Sequence, residues 1–170
     1  GRHGEPTLTY TVRWGSARFF FLNAFATSLT TTDRAWLERE LNDADGEAGV
    51  RHRFIVMHQG PSSSGPHGGG QFFDVGLRKM LLSHKITMVF AGHDHLYERG
   101  VRDGLRYIVS GGGGAPLYPS KPEKSPPTQA VESAHHFVSV EVDGAKITTT
   151  AIRKDGSTMD RCFIEGDAFT

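Results

Sequence analysis

Two-residue turns divide much of the chain into short apolar-rich segments, among them the run Phe19-Phe20-Phe21-Leu22, which reads as a buried strand. Thr7 to Trp14, then Gly15-Ser16, then Ala17 to Asn23 predicts a β-hairpin, because a Gly-Ser pair supplies the positive φ that a two-residue turn needs. Asp103-Gly104 separates Tyr97–Val101 from Leu105–Val109. Asp143-Gly144 separates His136–Val142 from Ala145–Ile152, and Asp155-Gly156 leads into Met159–Ile164. The last three segments predict an antiparallel meander. Phe54-Ile55-Val56-Met57 and Ile86–Phe90 are continuous apolar runs, the pattern of strands buried on both faces.

A helical period precedes each of those runs. Thr32 is a candidate N-cap, with Asp33 in the first turn and Leu37 and Leu41 on one face beside Trp36. This helix is expected to end near the 43–49 cluster. A second helix is predicted from about Gln71 to His84, where Phe73, Leu77, Met80, Leu81 and His84 fall on one stripe. Helix–strand–helix–strand implies parallel crossovers, so the expected fold is α/β, a mixed sheet with antiparallel strands at the end. Residues 60–70 and 111–130 read as loops; the second exceeds the usual loop length and marks a functional or mobile excursion.

Composition narrows the function classes. A length of 170 residues suits a single domain over 1–170 with a real core. The 19 Lys+Arg balance 19 Asp+Glu, so no broad field draws in nucleic acid or an anionic membrane surface. A lone Cys162 rules out an internal disulfide framework and any multi-Cys metal cluster. No apolar run approaches the ~20 residues of a membrane span. Gly 21 and Pro 8 imply many tight turns, and nine His with one Cys directs attention to imidazole chemistry. The chain opens Gly1-Arg2-His3-Gly4, with no signal-like segment from which a compartment could be read.

Both apolar runs end in histidine. Phe54–Met57 leads to His58, and Ile86–Phe90 leads to Ala91-Gly92-His93-Asp94-His95. Ligands in α/β sheets bind at the carboxyl ends of strands. In an extended stretch His93 and His95 would project to one side with Cα atoms about 6.6 Å apart, a spacing that suits imidazoles converging on one ion or on a close pair. A polar turn is the competing reading of His-Asp-His.

Gly92-His93-Asp94-His95-Leu96-Tyr97-Glu98-Arg99 resembles the GHxHxYER signature of purple-acid-phosphatase-like enzymes, within the calcineurin-like metallophosphoesterases. Other landmarks follow in the family's order: Thr32–Glu38, Phe54–His58 with Pro61, the glycine-rich exit Tyr107–Pro116, and His135-His136-Phe137 with the final meander. The resemblance implies a four-layer α/β/β/α sandwich of which this chain supplies the C-terminal part, namely the mixed sheet and the antiparallel meander. It implies metal-dependent hydrolysis of phosphate esters, phosphomonoesters first, with His58 and His93 on one metal ion and His95 on the other. His67 would bind phosphate oxygens or protonate the leaving alkoxide, or be a solvated loop residue. Gly112 and Gly113 would let backbone approach the substrate, or form a strained turn. Asp94 stands at the variable position and is expected behind the ligands or exposed, whereas Tyr97 and Arg99 are expected to pack and pair.

The family's N-terminal Asp-x-His, Gly-Asp-x-x-Asp and Gly-Asn-His motifs are absent from this sequence. The complete domain would hold two ions (Zn, Mn or Fe), and this chain alone at most one, because neutral imidazoles do not offset the repulsion of two cations. The expected partners are therefore the phosphate-ester substrate and a missing N-terminal segment, without which sheet edges and apolar surface lie open. A secreted or periplasmic setting follows from the resemblance alone. The alternatives are a non-catalytic metal-binding or interaction module and a phosphate binder built on the glycine loops.

Overall fold

The structure is a computed structural model, and it describes residues 8–23, 29–70, 73–120, 128–166 and 168–170. In chain order the elements are β1 (Tyr10–Trp14), β2 (Ala17–Leu22), α1 (Thr31–Gly46), β3 (His52–Met57), α2 (Val75–Ser83), β4 (Met88–Ala91), β5 (Tyr97–Arg102) and β6 (Leu105–Ser110). They continue as β7 (Thr128–Glu132), β8 (His136–Asp143), β9 (Lys146–Arg153), β10 (Thr158–Glu165) and β11 (Ala168–Phe169). The hairpin turns at Gly15, φ 58, as its sequence requires. Its predicted start, Thr7, lies outside the described residues.

Both helices begin differently from expectation. The cap of α1 is Thr30, two residues before Thr32: its Oγ1 accepts from the Asp33 N–H at 3.1 Å, and Asp33 Oδ2 accepts from the Thr30 N–H at 3.3 Å. This reciprocal box needs its partners three positions apart, which among the threonines before Asp33 only Thr30 satisfies. Helix α2 starts at Val75, not near Gln71, because Asp74 caps it by accepting from the Leu77 N–H at 2.9 Å. Gln71 itself is outside the described residues, and Phe73 packs against the core from the preceding loop. The 111–130 loop is also shorter than predicted, since β7 begins at Thr128 and pairs with β5.

Strands β2, β3, β4 and β6 are parallel neighbours in a seven-stranded sheet ordered β1-β2-β3-β4-β6-β5-β7. The continuous apolar runs are thereby explained. Ile55 and Val89 face α1 and α2 in one core with Leu37, Leu41, Leu77 and Leu81. Phe54 and Met88 face the other way, onto Ile147, Ala151 and Ile164 of a four-stranded antiparallel sheet ordered β11-β10-β9-β8. The described residues thus form three layers, helix, mixed sheet and meander, of the expected sandwich. No helix among them is long and apolar enough to cross a membrane.

Along the outer edge of β8 the sandwich stands open. A cleft of about 670 Å³ there is walled by Val12, Trp14, Phe19, Phe21, Val140 and Val142. Trp14 is 80% exposed and Phe137 57%. Uncovered apolar surface of this kind marks an interaction face.

Charged contacts tie the two sheets: Arg153 of β9 meets Glu132 of β7 at 2.6 Å, and Arg99 of β5 meets Asp160 of β10. Asp160 on β10 accepts from Arg99 Nε and from the Tyr97 hydroxyl, each at 2.6 Å, while Arg99 Nη2 reaches its other oxygen at 3.2 Å. Burial would raise the Asp160 carboxyl, but the hydrogen bonds from Arg99 and Tyr97 and the guanidinium charge outweigh it and hold the carboxyl below its ordinary value. Asp160→Asn should cost about 1–3 kcal/mol at neutral pH, because it leaves a buried guanidinium without its counter-charge. The folded carboxyl titrates lower than the unfolded one, so its contribution is complete above about pH 4 and is lost as pH falls through the folded value. Denaturant unfolding of parent and variant across this range should therefore show a gap that closes in acid; a gap independent of pH contradicts the assignment.

Candidate functional site

The ends of β3 and β4 lie side by side because these strands are parallel neighbours. His58 follows the last residue of β3, and the Gly92 N–H donates to the His58 carbonyl at 3.0 Å, so the two exits are locked together. Beyond Ala91 the chain does not continue extended, contrary to the spacing argument for His93 and His95. The Asp94 N–H reaches the Gly92 carbonyl at 2.9 Å and the Leu96 N–H reaches the Asp94 carbonyl at 2.8 Å, two successive three-residue turns. His93 sits at φ 67, a left-handed conformation that non-glycine residues adopt at a cost and that concentrates at functional sites.

This doubling back gathers histidines. His58 Nε2 and His93 Nδ1 are 2.9 Å apart, with the rings edge to face. The His67 ring lies 4.5 Å from that of His93 and 5.3 Å from Tyr118. Tyr118 in turn stacks on His95 with centroids 4.2 Å apart. Three of the four predicted histidines are thus in direct contact, and His95 joins them through an aromatic ring that the sequence did not single out. The Gln59 amide reaches His93 Nε2 at 3.3 Å, another contact the sequence left unmarked.

Hydrogen bonds fix which nitrogens carry protons. A carbonyl only accepts, so His95 Nδ1 donates to the Pro116 carbonyl at 2.7 Å and leaves Nε2 as the lone-pair nitrogen. Likewise His67 Nδ1 donates to Asp94 Oδ1 at 2.8 Å. Burial lowers the His93 pKa, and the positive charges that His58, His67 and His95 carry when protonated lower it further, against the pull of Asp94. The site therefore favours neutral imidazole at His93, the form that ligates metal.

Asp94 is neither exposed nor idle. It is 1% exposed, and besides His67 Nδ1 it accepts from the His67 N–H at 3.2 Å and from the Ser63 hydroxyl. It pins the 60–70 loop onto the turn that follows β4 and sets the orientation of the His67 ring. Nearby, Glu98 accepts from the Tyr107 hydroxyl at 2.6 Å, from Thr128 at 2.8 Å and from the Ser64 N–H, pinning the same loop a second time.

The contacts of Gly112 run to the β8 side: its carbonyl accepts from the His136 N–H at 3.1 Å and from His135 Nδ1 at 3.2 Å. Gly113 borders a cleft with Ser110, His136 and Phe137. Gly111 is the glycine that backs the histidines, since a Cβ there would lie 2.1 Å from the Asp94 carbonyl oxygen.

Among the described residues no group of three or more His, Cys, Asp or Glu side chains is arranged to hold a metal ion. The His58–His93 pair nonetheless presents two ring nitrogens to one place, at an angle narrower than the tetrahedral one. Two nitrogens 2.9 Å apart span the chord of two bonds of about 2.0–2.1 Å meeting near a right angle. Imidazole suits Zn, Cu, Fe and Ni. The carboxylate closest to the rings is turned to His67 and Ser63, so a second ion has no bridging acid among these residues.

No family model matches the chain. It is 30% identical over 125 residues, 71% of its length, to a phosphoenolpyruvate phosphatase of Allium cepa, and spans 25% of that protein. A purple acid phosphatase from yellow lupin (Lupinus luteus) seeds superposes with a TM-score of 0.76 over 92% of the chain, at 21% identity and across 32% of its own length. GAP50, the anchor in the inner membrane complex of Plasmodium, superposes with a TM-score of 0.72 over 90% of the chain, at 18% identity and across 51% of its own length. The chain is thus purple-acid-phosphatase-like in fold, and in sequence it is similar over 71% of its length to a protein named as a phosphatase. It spans between a quarter and about half of these relatives.

Gly111→Ala should lower stability by about 1–3 kcal/mol, because its methyl meets backbone that cannot step aside. Gly113→Ala, where nothing lies within 4 Å, should melt with the parent. Thermal unfolding that ranks the two variants equally contradicts this close approach.

Proposed function

We propose that this chain supplies the histidine half of a metal-dependent phosphoesterase site, acting on phosphomonoesters. The observation that carries this reading is the 2.9 Å approach of His58 Nε2 to His93 Nδ1 at the tips of adjacent parallel strands. Similarity to proteins named as phosphatases supports it. In this reading His58 and His93 hold one ion and His95, through Nε2, is a ligand to a second. The carboxylates that would bridge two ions come from an N-terminal segment of the same domain, and residues 1–170 are the C-terminal portion of that domain. Metal ions (Zn, Mn or Fe) at this place supply charge neutralisation at the phosphoryl oxygens and an activated water.

The remaining work falls to the chain's own side chains. His67, its Nδ1 engaged by Asp94, presents Nε2 to the substrate, where it binds a phosphoryl oxygen or delivers a proton to the departing alkoxide. Asp94 is a positioning residue, holding the ring's tautomer and direction. Tyr118 keeps His95 and His67 apart and walls the site. Gly112 and Gly113 would offer backbone to the substrate only from the β8 side, where the Gly112 carbonyl is already engaged by His136. A second reading is a non-catalytic interaction module; it is favoured by the absence of a bridging acid among the described residues, and a fold neighbour is itself named as an anchor.

Titration of the chelated 170-residue chain with Zn²⁺ by calorimetry should give at most one ion per chain, with affinity reduced at least tenfold in His93→Ala. In a longer protein that carries the N-terminal motifs, metal-dependent turnover of an aryl phosphate should vanish with the same substitution. Zn²⁺ affinity and turnover that both survive His93→Ala contradict these assignments; Zn²⁺ binding without any turnover in the longer protein favours the module.

A further inference from the structure

At the opposite end of β3 and β4 from the histidines the structure holds a second cleft, of about 610 Å³. Its frame is rigid. The Arg51 and His52 N–H groups both reach the Ser16 carbonyl, at 2.8 and 3.1 Å, and His52 Nε2 donates to the Gly144 carbonyl at 2.8 Å. Strand β3 is thereby fixed to the β1–β2 turn and to the β8–β9 turn. Arg51, Lys85 and Arg106 line the cleft, with Leu82, Ile86 and Ile164 as apolar walls, and none of its described lining residues is acidic.

The positive charge of this cleft is not balanced by carboxylates among its described lining residues. The chain is formally neutral, and Arg13, Arg18, Arg34, Arg53, Arg78, Arg99, Arg102 and Arg153 all pair with carboxylates. Arg51, Lys85 and Arg106 have no carboxylate partner among the described residues. Arg106 is steadied by donating from Nη2 to the Gly166 carbonyl at 3.2 Å, which leaves its other N–H groups for a ligand. Lys85 occupies a left-handed position, φ 51, at the end of α2, where glycine is usual. Guanidinium forks match phosphate oxygens, and the volume is that of a small-molecule site.

We infer that this cleft is a binding site for a phosphorylated small molecule with an apolar body, of the class of a nucleoside diphosphate. The phosphates sit against Arg51, Lys85 and Arg106, and the apolar part lies on Leu82, Ile86 and Ile164. Both cations to be replaced in the test, Arg51 and Lys85, are exposed, so their loss leaves the core intact. The inference is independent of the phosphoesterase reading, and a chelator keeps the histidine cluster out of the measurement.

ADP titrated by calorimetry into the chain in EDTA should bind saturably, with affinity falling as salt rises. The double variant Arg51→Gln with Lys85→Gln should bind at least tenfold more weakly while melting with the parent, and His93→Ala should bind as the parent does. No saturation at millimolar ADP overturns the site. So does binding that persists in the double variant or disappears in His93→Ala.

Discussion

The parallel pairing of β3 with β4 is the constraint on which the candidate site depends. Each strand by itself offers a histidine at its end. Only their register, Phe54 beside Met88 through Val56 beside Phe90, brings the exits level. The Gly92–His58 hydrogen bond then fixes the spacing, and the left-handed turn at His93 swings its ring onto His58. The burial of Phe54, Ile55, Met88 and Val89 on two faces holds this register, because a one-residue slip would exchange the two apolar faces. Packing in the core is therefore what sets a distance between nitrogens at the surface.

Charge tells a complementary story. The site gathers imidazole rings, and its buried acids serve the scaffold. Asp94 and Glu98 each hold the 60–70 loop, so the segment bearing His67 is anchored at two points, to the turn that bears His93 and to β5. Asp160 ties the sheets together behind them. In the proposed two-ion reading, the negative charge that offsets the cations would come from outside these residues; the chain spans about a third of the lupin phosphatase onto which it superposes.

Much of this was legible in the residues. Gly15-Ser16 announced the hairpin, the two unbroken apolar runs announced β3 and β4, and the Asp-Gly pairs announced the meander. The GHxHxYER resemblance pointed to a family whose fold the chain shares. The misreadings have physical causes. Three consecutive threonines concealed the cap, which only the spacing to Asp33 resolves. Strand β7 carries little apolar signal of its own and exists by pairing with β5. Treating the 92–96 segment as extended placed His95 on the same side as His93, whereas the segment makes two tight turns and the His95 ring stacks on Tyr118. The part played by Asp94 depends on a loop folding back from some thirty positions earlier, and local pattern carries no trace of such a contact.

Crystals of the 170-residue chain soaked with Zn²⁺, with anomalous scattering recorded at the zinc edge, test the central claim most directly. The account predicts a zinc peak bonded to both His58 Nε2 and His93 Nδ1. A zinc peak elsewhere, with these two nitrogens still sharing a proton, would contradict it.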